Sequence, residues 1–428
     1  MCRDCMTADL IVINIGILLT PKVDKGPVRG KDMDIVEEYQ NAFLAVKDGK
    51  FIDYGTHDFQ HLVGDDTEVV DAEGRLVTPG LVDSHTHVVH GGSREYEFEQ
   101  KMRGVPYLDI LKAGGGIHST VKMTREISKE GLYAQSKKSL DFMLGFGVTT
   151  VEGKSGYGLE LETELKQLEV QRELHENHPI DIVSTFMGAH ALPVAYKSKR
   201  KDFLDKVIGM FDTVKQRELA EFVDIFCEDG AFDVADSRYL LEAAKKHGFK
   251  LKIHADEVVA LGGVPLAAHL KAHSADHLMA IDEAGLRALA HSDVIANLLP
   301  STSFYLNSDY APARKMIERN LALALSSDYN PGSSPSENFL FTLNLAAIHM
   351  KMSPNEILTA ATYNAAYGID RADEIGRIAK GYKADFVIYD APNWPYVLYH
   401  FAINHVKDVF KMGIKVIENK QKVWEAKQ

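Results

Sequence analysis

With 428 residues, 45% of them hydrophobic and 25% charged, the chain has the composition of a soluble globular protein, long enough for one big domain with an accessory part or for two or three smaller ones. Its formal net charge of -13 leaves no overall basic excess to offset repulsion from phosphates, which argues against nucleic acid as the main partner. The clearest membrane candidate, Leu10 to Leu19, is interrupted by Asn14 and Gly16 and is too short to span a bilayer, so no membrane partner is expected either.

The first residues include Asp4 and Asp9 and lack a basic region followed by a long apolar one, so a cytoplasmic protein is expected. Three cysteines are too few for a disulfide framework. Cys2 and Cys5 form a C-x-x-C with no second pair and no βαβ context, and Cys227 sits in an apolar run that reads as core.

From Asp9 to about Val77 the sequence gives short strand-like runs: Leu10 to Ile15, Phe43 to Val46, Phe51 to Tyr54 and Glu68 to Asp71. Asp48-Gly49, between Lys47 and Lys50, is a hairpin signal. The C-terminal end has the same texture, with Asp385 to Tyr389, Val406 to Phe410 and Gly413 to Ile417, and a turn at Asn419-Lys420. The two ends, residues 1–78 and 374–428, are therefore expected to form one small β-rich domain.

Between them, over 79–373, short apolar runs alternate with helix-like segments rich in Leu, Ala, Glu and Lys. The runs are Leu81 to Val82, Val148 to Val151, Ile182 to Phe186, Phe222 to Phe226, Leu251 to Ile253, Ser274 to His277, Val294 to Leu299 and Leu321 to Leu325. Eight strands separated by helices imply an α/β fold with a parallel sheet, and the count fits a (β/α)8 TIM barrel better than a doubly wound sheet. Such a barrel carries its active site at the C-terminal ends of its strands.

What stands at those ends is chemically pointed. The first strand leaves a Pro-Gly turn and ends in His85 and His87, two residues apart and so on one side of the strand. The second delivers Glu152, Lys154 and, in its loop, Tyr157; the third His190; the fourth Glu228 and Asp229. The fifth delivers His254 and Glu257, the sixth His277, the seventh Ser301 to Ser303, and the eighth Asp328 with Asn330. A single histidine at a strand end is ordinarily structural, but packing does not explain nearly every strand ending this way.

His85, His87, His254 and Asp328 make a coherent set of three imidazoles and one carboxylate, suited to zinc, or to iron of similar size, with a position left for water. Such a metal lowers the pKa of its water to roughly 7, so that hydroxide is available at neutral pH. Glu257 is placed to move a proton between the water and a leaving nitrogen. His277 either polarises the carbonyl under attack or hydrogen-bonds Asp276 or backbone.

At these residues the chain resembles the amidohydrolase superfamily, through Pro79-Gly80-Leu81-Val82-Asp83-Ser84-His85-Thr86-His87, and more narrowly its imidazolonepropionases, enzymes of histidine degradation. The narrower resemblance rests on Gly91-Gly92-Ser93-Arg94-Glu95, Gly114-Gly115-Gly116-Ile117, and Lys154 to Glu160. It continues in Thr185 to His190, Lys252 to Glu257, Ser274 to His277 and Asp328 to Pro335, and so spans the middle of the chain almost end to end.

The resemblance implies hydrolysis of the cyclic amide of 4-imidazolone-5-propanoate to N-formimino-L-glutamate. It implies metal ligation by His85, His87, His254 and Asp328, with Glu257, His277 and Asp328 acting in catalysis. Arg94, Tyr157, His190, Glu257, Asn330, Gly332 and Ser333 would bind the substrate. Arg94 suits a propionate tail, since a guanidinium clamps a carboxylate with two hydrogen bonds.

Relatives with two metals bridge them by a carbamylated lysine at the end of strand four; here that strand ends Phe226-Cys227-Glu228, which favours one metal, with Lys154 as the open point. The family also implies a homodimer. Ser84, where proline is common, and the Cys2-x-x-Cys5 start are departures from the pattern. The rival reading is an aminohydrolase acting on a purine or related heterocycle with the same metal set, which needs no carboxylate clamp. A catalytically dead scaffold barrel would have lost ligands, and all four are intact.

Overall fold

The structure, a computed structural model, describes residues 7–105, 109–110 and 114–424, so Cys2 and Cys5 lie outside it. The N-terminal flank supplies β1 (Leu10–Pro21), β2 (Val36–Lys47), β3 (Lys50–Gly55), β4 (Glu68–Asp71) and β5 (Leu76–Pro79). The middle supplies β6 (Leu81–Thr86), β7 (Val148–Lys154), β8 (Asp181–Ala189) and β9 (Phe222–Cys227). It continues with β10 (Lys250–Ala255), β11 (Ser274–His277), β12 (Ile295–Leu298) and β13 (Leu323–Leu325). The C-terminal flank adds β14 (Phe386–Tyr389), β15 (Val406–Lys411), β16 (Ile414–Glu418) and β17 (Gln421–Lys422).

The two flanks form one sheet, in the order β17-β16-β15-β14-β5-β1-β2-β3 with β4 also on β1. They meet where β5 runs antiparallel to β14, Leu76 opposite Tyr389 and Pro79 opposite Phe386. β5 and β17 escaped the sequence reading, because four-residue and two-residue runs carry no periodicity. β1 and β2 are longer than expected: the polar start of β2, with Glu37, Glu38 and Gln40, lies opposite Thr20, Leu19 and Ile17 of β1. The β2–β3 turn has Asp48 and Gly49 both at positive φ, 50° and 73°, as the hairpin signal requires.

The eight middle strands lie in sequence order in one parallel sheet, β6 to β13. Most of their positions are buried, as expected of strands packed inside by one another and outside by helices. The helix Leu161–Asn177 packs on β8, and Val234–Lys246 packs on β9, fixed at its start by a reciprocal capping box between Asp233 and Asp236.

The barrel closes where its last strand meets its first. The Asp328 amide donates to the His85 carbonyl at 3.1 Å, and the His87 amide donates to the Tyr329 carbonyl at 2.8 Å. Below these, the Ser84 and Ser326 hydroxyls hydrogen-bond each other, and Asp83 accepts from the Ser327 amide at 2.9 Å. Among the described residues, no helix is long and apolar enough to cross a membrane.

Candidate metal centre and active site

The closing seam already brings together three residues of the expected metal set. His85 and His87 leave β6 on one side, and Asp328, in the left-handed region at φ 53°, turns its carboxylate back toward them. Asp328 Oδ1 lies 3.4 Å from His85 Nε2 and 3.8 Å from His87 Nε2. His254, at the end of β10, completes the group: its ring centroid is 4.6 Å from that of His85 and 5.7 Å from that of His87. All four side chains are buried.

Their orientation is fixed from below. His85 Nδ1 is 2.5 Å from Asp276 Oδ2, and His254 Nδ1 is 3.0 Å from Asp224 Oδ2. Asp276 accepts a hydrogen bond from His85 Nδ1 and so leaves Nε2 with its lone pair toward the centre, while Asp224 accepts from the His254 backbone amide at 3.2 Å with its other oxygen against the ring. His85 Nε2 and His254 Nε2 are buried with no hydrogen-bond partner among the described residues, which is costly unless an ion takes the lone pairs. Burial, reinforced by neighbouring positive groups, holds His85 and His87 well below the usual histidine range, and burial holds His254 down to about 3 against the opposing pull of Asp224, so all three stay neutral as ligation requires. The donor set has the make-up of a divalent metal site.

Around the histidines stand the groups expected to act on substrate. Burial, and then the charge of Glu228, pushes Glu257 up to about 7, and burial pushes Asp328 to about 7 against the opposing pull of His277 and the Thr302 hydroxyl. Thr302 Oγ1 donates to Asp328 Oδ2 at 2.5 Å. Glu257 Oε2 lies 3.7 Å from His277 Nε2. Strict alternation along β11 would send Asp276 and His277 to opposite faces; His277 leaves the strand at φ 84°, and both reach the site. Asp276 Oδ2 is held by His85, and His277 makes no hydrogen bond to Asp276.

On the other side, His190 stacks on His87 at 4.6 Å between centroids with an interplanar angle of 11°, and Tyr157 lies 5.2 Å from His190 and 5.6 Å from His87. Burial lowers His190 to about 4 and raises the Tyr157 hydroxyl. The loop carrying Tyr157 is held by a single buried carboxylate, Glu164, which accepts from the amides of Gly156, Gly158 and Leu159.

Arg94 is not the surface residue that its polar surroundings in the sequence suggest. Its side chain is only 11% exposed, and Glu97 takes Nε at 3.0 Å and Nη2 at 2.7 Å. Nη1 is turned against Gly332: a Cβ there would sit 2.2 Å from it, so any other residue would push the guanidinium from this position. The side chain of Asn330 is spent on shaping the same loop, donating to the Asp328 carbonyl and to Ser333 Oγ while accepting from the amides of Gly332 and Ser333.

Other strand ends serve structure. Glu228 accepts from the amides of Val258 and Val259 and so braces the segment that carries Glu257, while Asp229 is exposed. Lys154 pairs with Glu152 and Asp224 at 2.8 Å each. Thr302 lies in the Ser301 to Ser303 stretch expected at the end of the seventh strand, whereas Asp224 and Lys252 are given no role by the sequence, although both are charged residues inside short apolar strands, Lys252 with the parity of His254.

The amidohydrolase family's sequence profile matches residues 76–416. The imidazolonepropionase of Fusobacterium nucleatum is 54% identical over 411 residues, covering 95% of this chain and 98% of that protein. That of Alkaliphilus oremlandii is 52% identical over 419 residues, covering 96% and 99%. Among solved structures, an adenosine deaminase from Xanthomonas campestris with bound zinc superposes with a TM-score of 0.71 at 18% identity, covering 97% of this chain and 94% of that one. That likeness shows the fold, a barrel with its flanking sheet.

Proposed function

The chain belongs to the amidohydrolase family, and from that premise we propose that it hydrolyses the ring amide of 4-imidazolone-5-propanoate to N-formimino-L-glutamate, a step of histidine degradation. What carries the substrate assignment is identity above half, over nearly the whole chain, with relatives of that activity. The largely covered Arg94 beside Gly332 supports it, since a purine or similar ring needs no cation there.

In this reading His85, His87, His254 and Asp328 would hold one ion per chain, zinc or iron. It would supply Lewis acidity toward the ring carbonyl and a water acidic enough to lose its proton near neutral pH. Arg94 fixes the propionate carboxylate, and Tyr157, His190, Ser333 and the backbone at Asn330 and Gly332 enclose the ring. His277, kept neutral by burial, hydrogen-bonds the carbonyl oxygen as charge builds on it. Glu257, whose carboxyl is balanced near neutrality, takes a proton from the attacking water and delivers it to the departing ring nitrogen, and Asp328 shares that proton traffic. The carbon–nitrogen bond breaks with one water consumed. A homodimer in the cytoplasm, acting on small molecules, belongs to the same proposal.

The test generates the labile substrate in place from urocanate with added urocanase and detects formiminoglutamate directly. Product that forms with this protein and stops when a chelator is added is expected. No product from a metal-loaded sample would sink the substrate and turn the search to other cyclic amides and aminated heterocycles.

A further inference from the structure

The reaction above leaves a group of buried charges unused. Beneath the histidines, Lys154, Lys252, Glu152, Asp224 and Asp276 are all at 0% exposure. Lys154 Nζ lies 2.8 Å from Glu152 Oε1, 2.8 Å from Asp224 Oδ2 and 3.7 Å from Asp276 Oδ2. Lys252 Nζ lies 3.2 Å from Glu152 Oε2 and 4.0 Å from Asp276 Oδ2, and donates to the Ser84 carbonyl at 2.9 Å. Glu152 Oε1 also accepts from the Thr185 hydroxyl.

Without the lysines this would be a cation site. His85, Glu152 and Asp276 offer ligand atoms within 4.8 Å of one another. Glu152 Oε2 and Asp276 Oδ1 are buried and make no hydrogen bond among the described residues. Carboxylates gathered this closely away from water need positive charge beside them. The burial of Lys154 works against its charge, yet Asp224 and Glu152 hold its ammonium above its ordinary range. Two ammoniums among three carboxylates leave one negative charge over, which an ion held at the histidines above would balance.

We propose that Lys154 and Lys252 are positioning residues that take the place of a second metal ion: their ammoniums neutralise Glu152, Asp224 and Asp276, keep Asp276 and Asp224 as acceptors for His85 and His254, and limit the site to one ion. The proposal rests on His85, His87, His254 and Asp328 being the ligands of that ion. It also gives Lys154, which stands after strand two, a role opposite to a bridging lysine: it excludes a second ion rather than recruiting one.

The experiment titrates metal-stripped full-length protein with Co2+, counting bound ions per chain by elemental analysis after gel filtration and following folding by circular dichroism. The wild type is expected to hold one ion. Lys154→Met, which keeps the side-chain length and removes the charge, is expected to hold two, or to fold only when Co2+ is present. Lys154→Met/Glu152→Gln, in which the charge is rebalanced, is expected to fold and hold one. A folded Lys154→Met that holds a single ion, a Lys154→Met that stays unfolded at every Co2+ concentration, or a second ion in the rebalanced variant overturns the proposal. Wild-type protein that binds no ion would instead sink the metal reading itself, and wild-type protein with two ions would overturn this inference while leaving that reading standing.

Discussion

The interior of the barrel beneath the site and the apolar core of the flanking sheet are both buried, and they are built from opposite materials. Under the histidines the interior is charge: Lys154, Lys252, Glu152, Asp224, Asp276 and Asp83, all without exposure. The core of the flanking sheet is apolar, with Leu44, Phe51, Val77, Phe386, Ile388 and Phe410 packed together and Phe386 stacked on Phe410 at 4.3 Å. Apolar burial returns free energy in proportion to area, whereas buried ions at best offset their own desolvation. The charged interior is therefore explained by what it orients, and the flanking sheet by what it stabilises.

Substitutions in the two regions should then separate activity from stability. The largest effect is expected at the site: His254→Ala should lose the bound ion and lower kcat by more than about 10³-fold, with both read on the same sample by metal analysis and turnover. Glu257→Gln should lower kcat by about 10²- to 10⁴-fold with the ion retained. Because burial disfavours the carboxylate and raises its pKa to about 7, the wild-type rate should fall as pH drops below that value and Glu257 becomes protonated, and the variant should lack that limb. A wild-type profile flat from pH 5 to 8 would remove Glu257 from the proton path.

In the sheet the signs reverse. Phe386→Ala should cost about 3–5 kcal/mol of unfolding free energy while leaving kcat per folded molecule unchanged; a loss of kcat without a loss of stability would break the comparison. Arg94→Ala should raise KM by about 10- to 10²-fold for a substrate with a carboxylate tail, and unchanged kinetics would favour a substrate without one. The smallest effect is expected at Ser353→Ala, which removes one half of the capping box that starts the helix Pro354–Ala361 and should cost about 1 kcal/mol of stability alone.

The barrel was legible because each strand is a short apolar run between helix-like segments, and the flanking hairpin because Asp48-Gly49 admits one kind of turn. β5 was not, since Leu76–Pro79 runs into the next strand with only Gly80 between them. At the site, the histidines and Asp328 announced themselves by residue type. Asp224 and Asp276 did not, because a lone acid in a four- to six-residue strand looks like an edge position until the partner across the barrel is known. Arg94 was visible through family resemblance alone; its burial depends on Glu97 and on the absence of a side chain at Gly332, contacts that no local pattern encodes.

The seam between β6 and β13 also sets a clock. Asp83 and Ser327, hydrogen-bonded across it, are 244 residues apart, and in the middle of the flanking sheet Leu76 waits for Tyr389. A ribosome releases His85 and His87 long before Asp328, which faces them, and pairings of such long sequence separation are the slow ones to form. The nascent chain thus carries half a centre through most of its synthesis, and catalytic turnover, once it begins, certifies that the whole ring has closed.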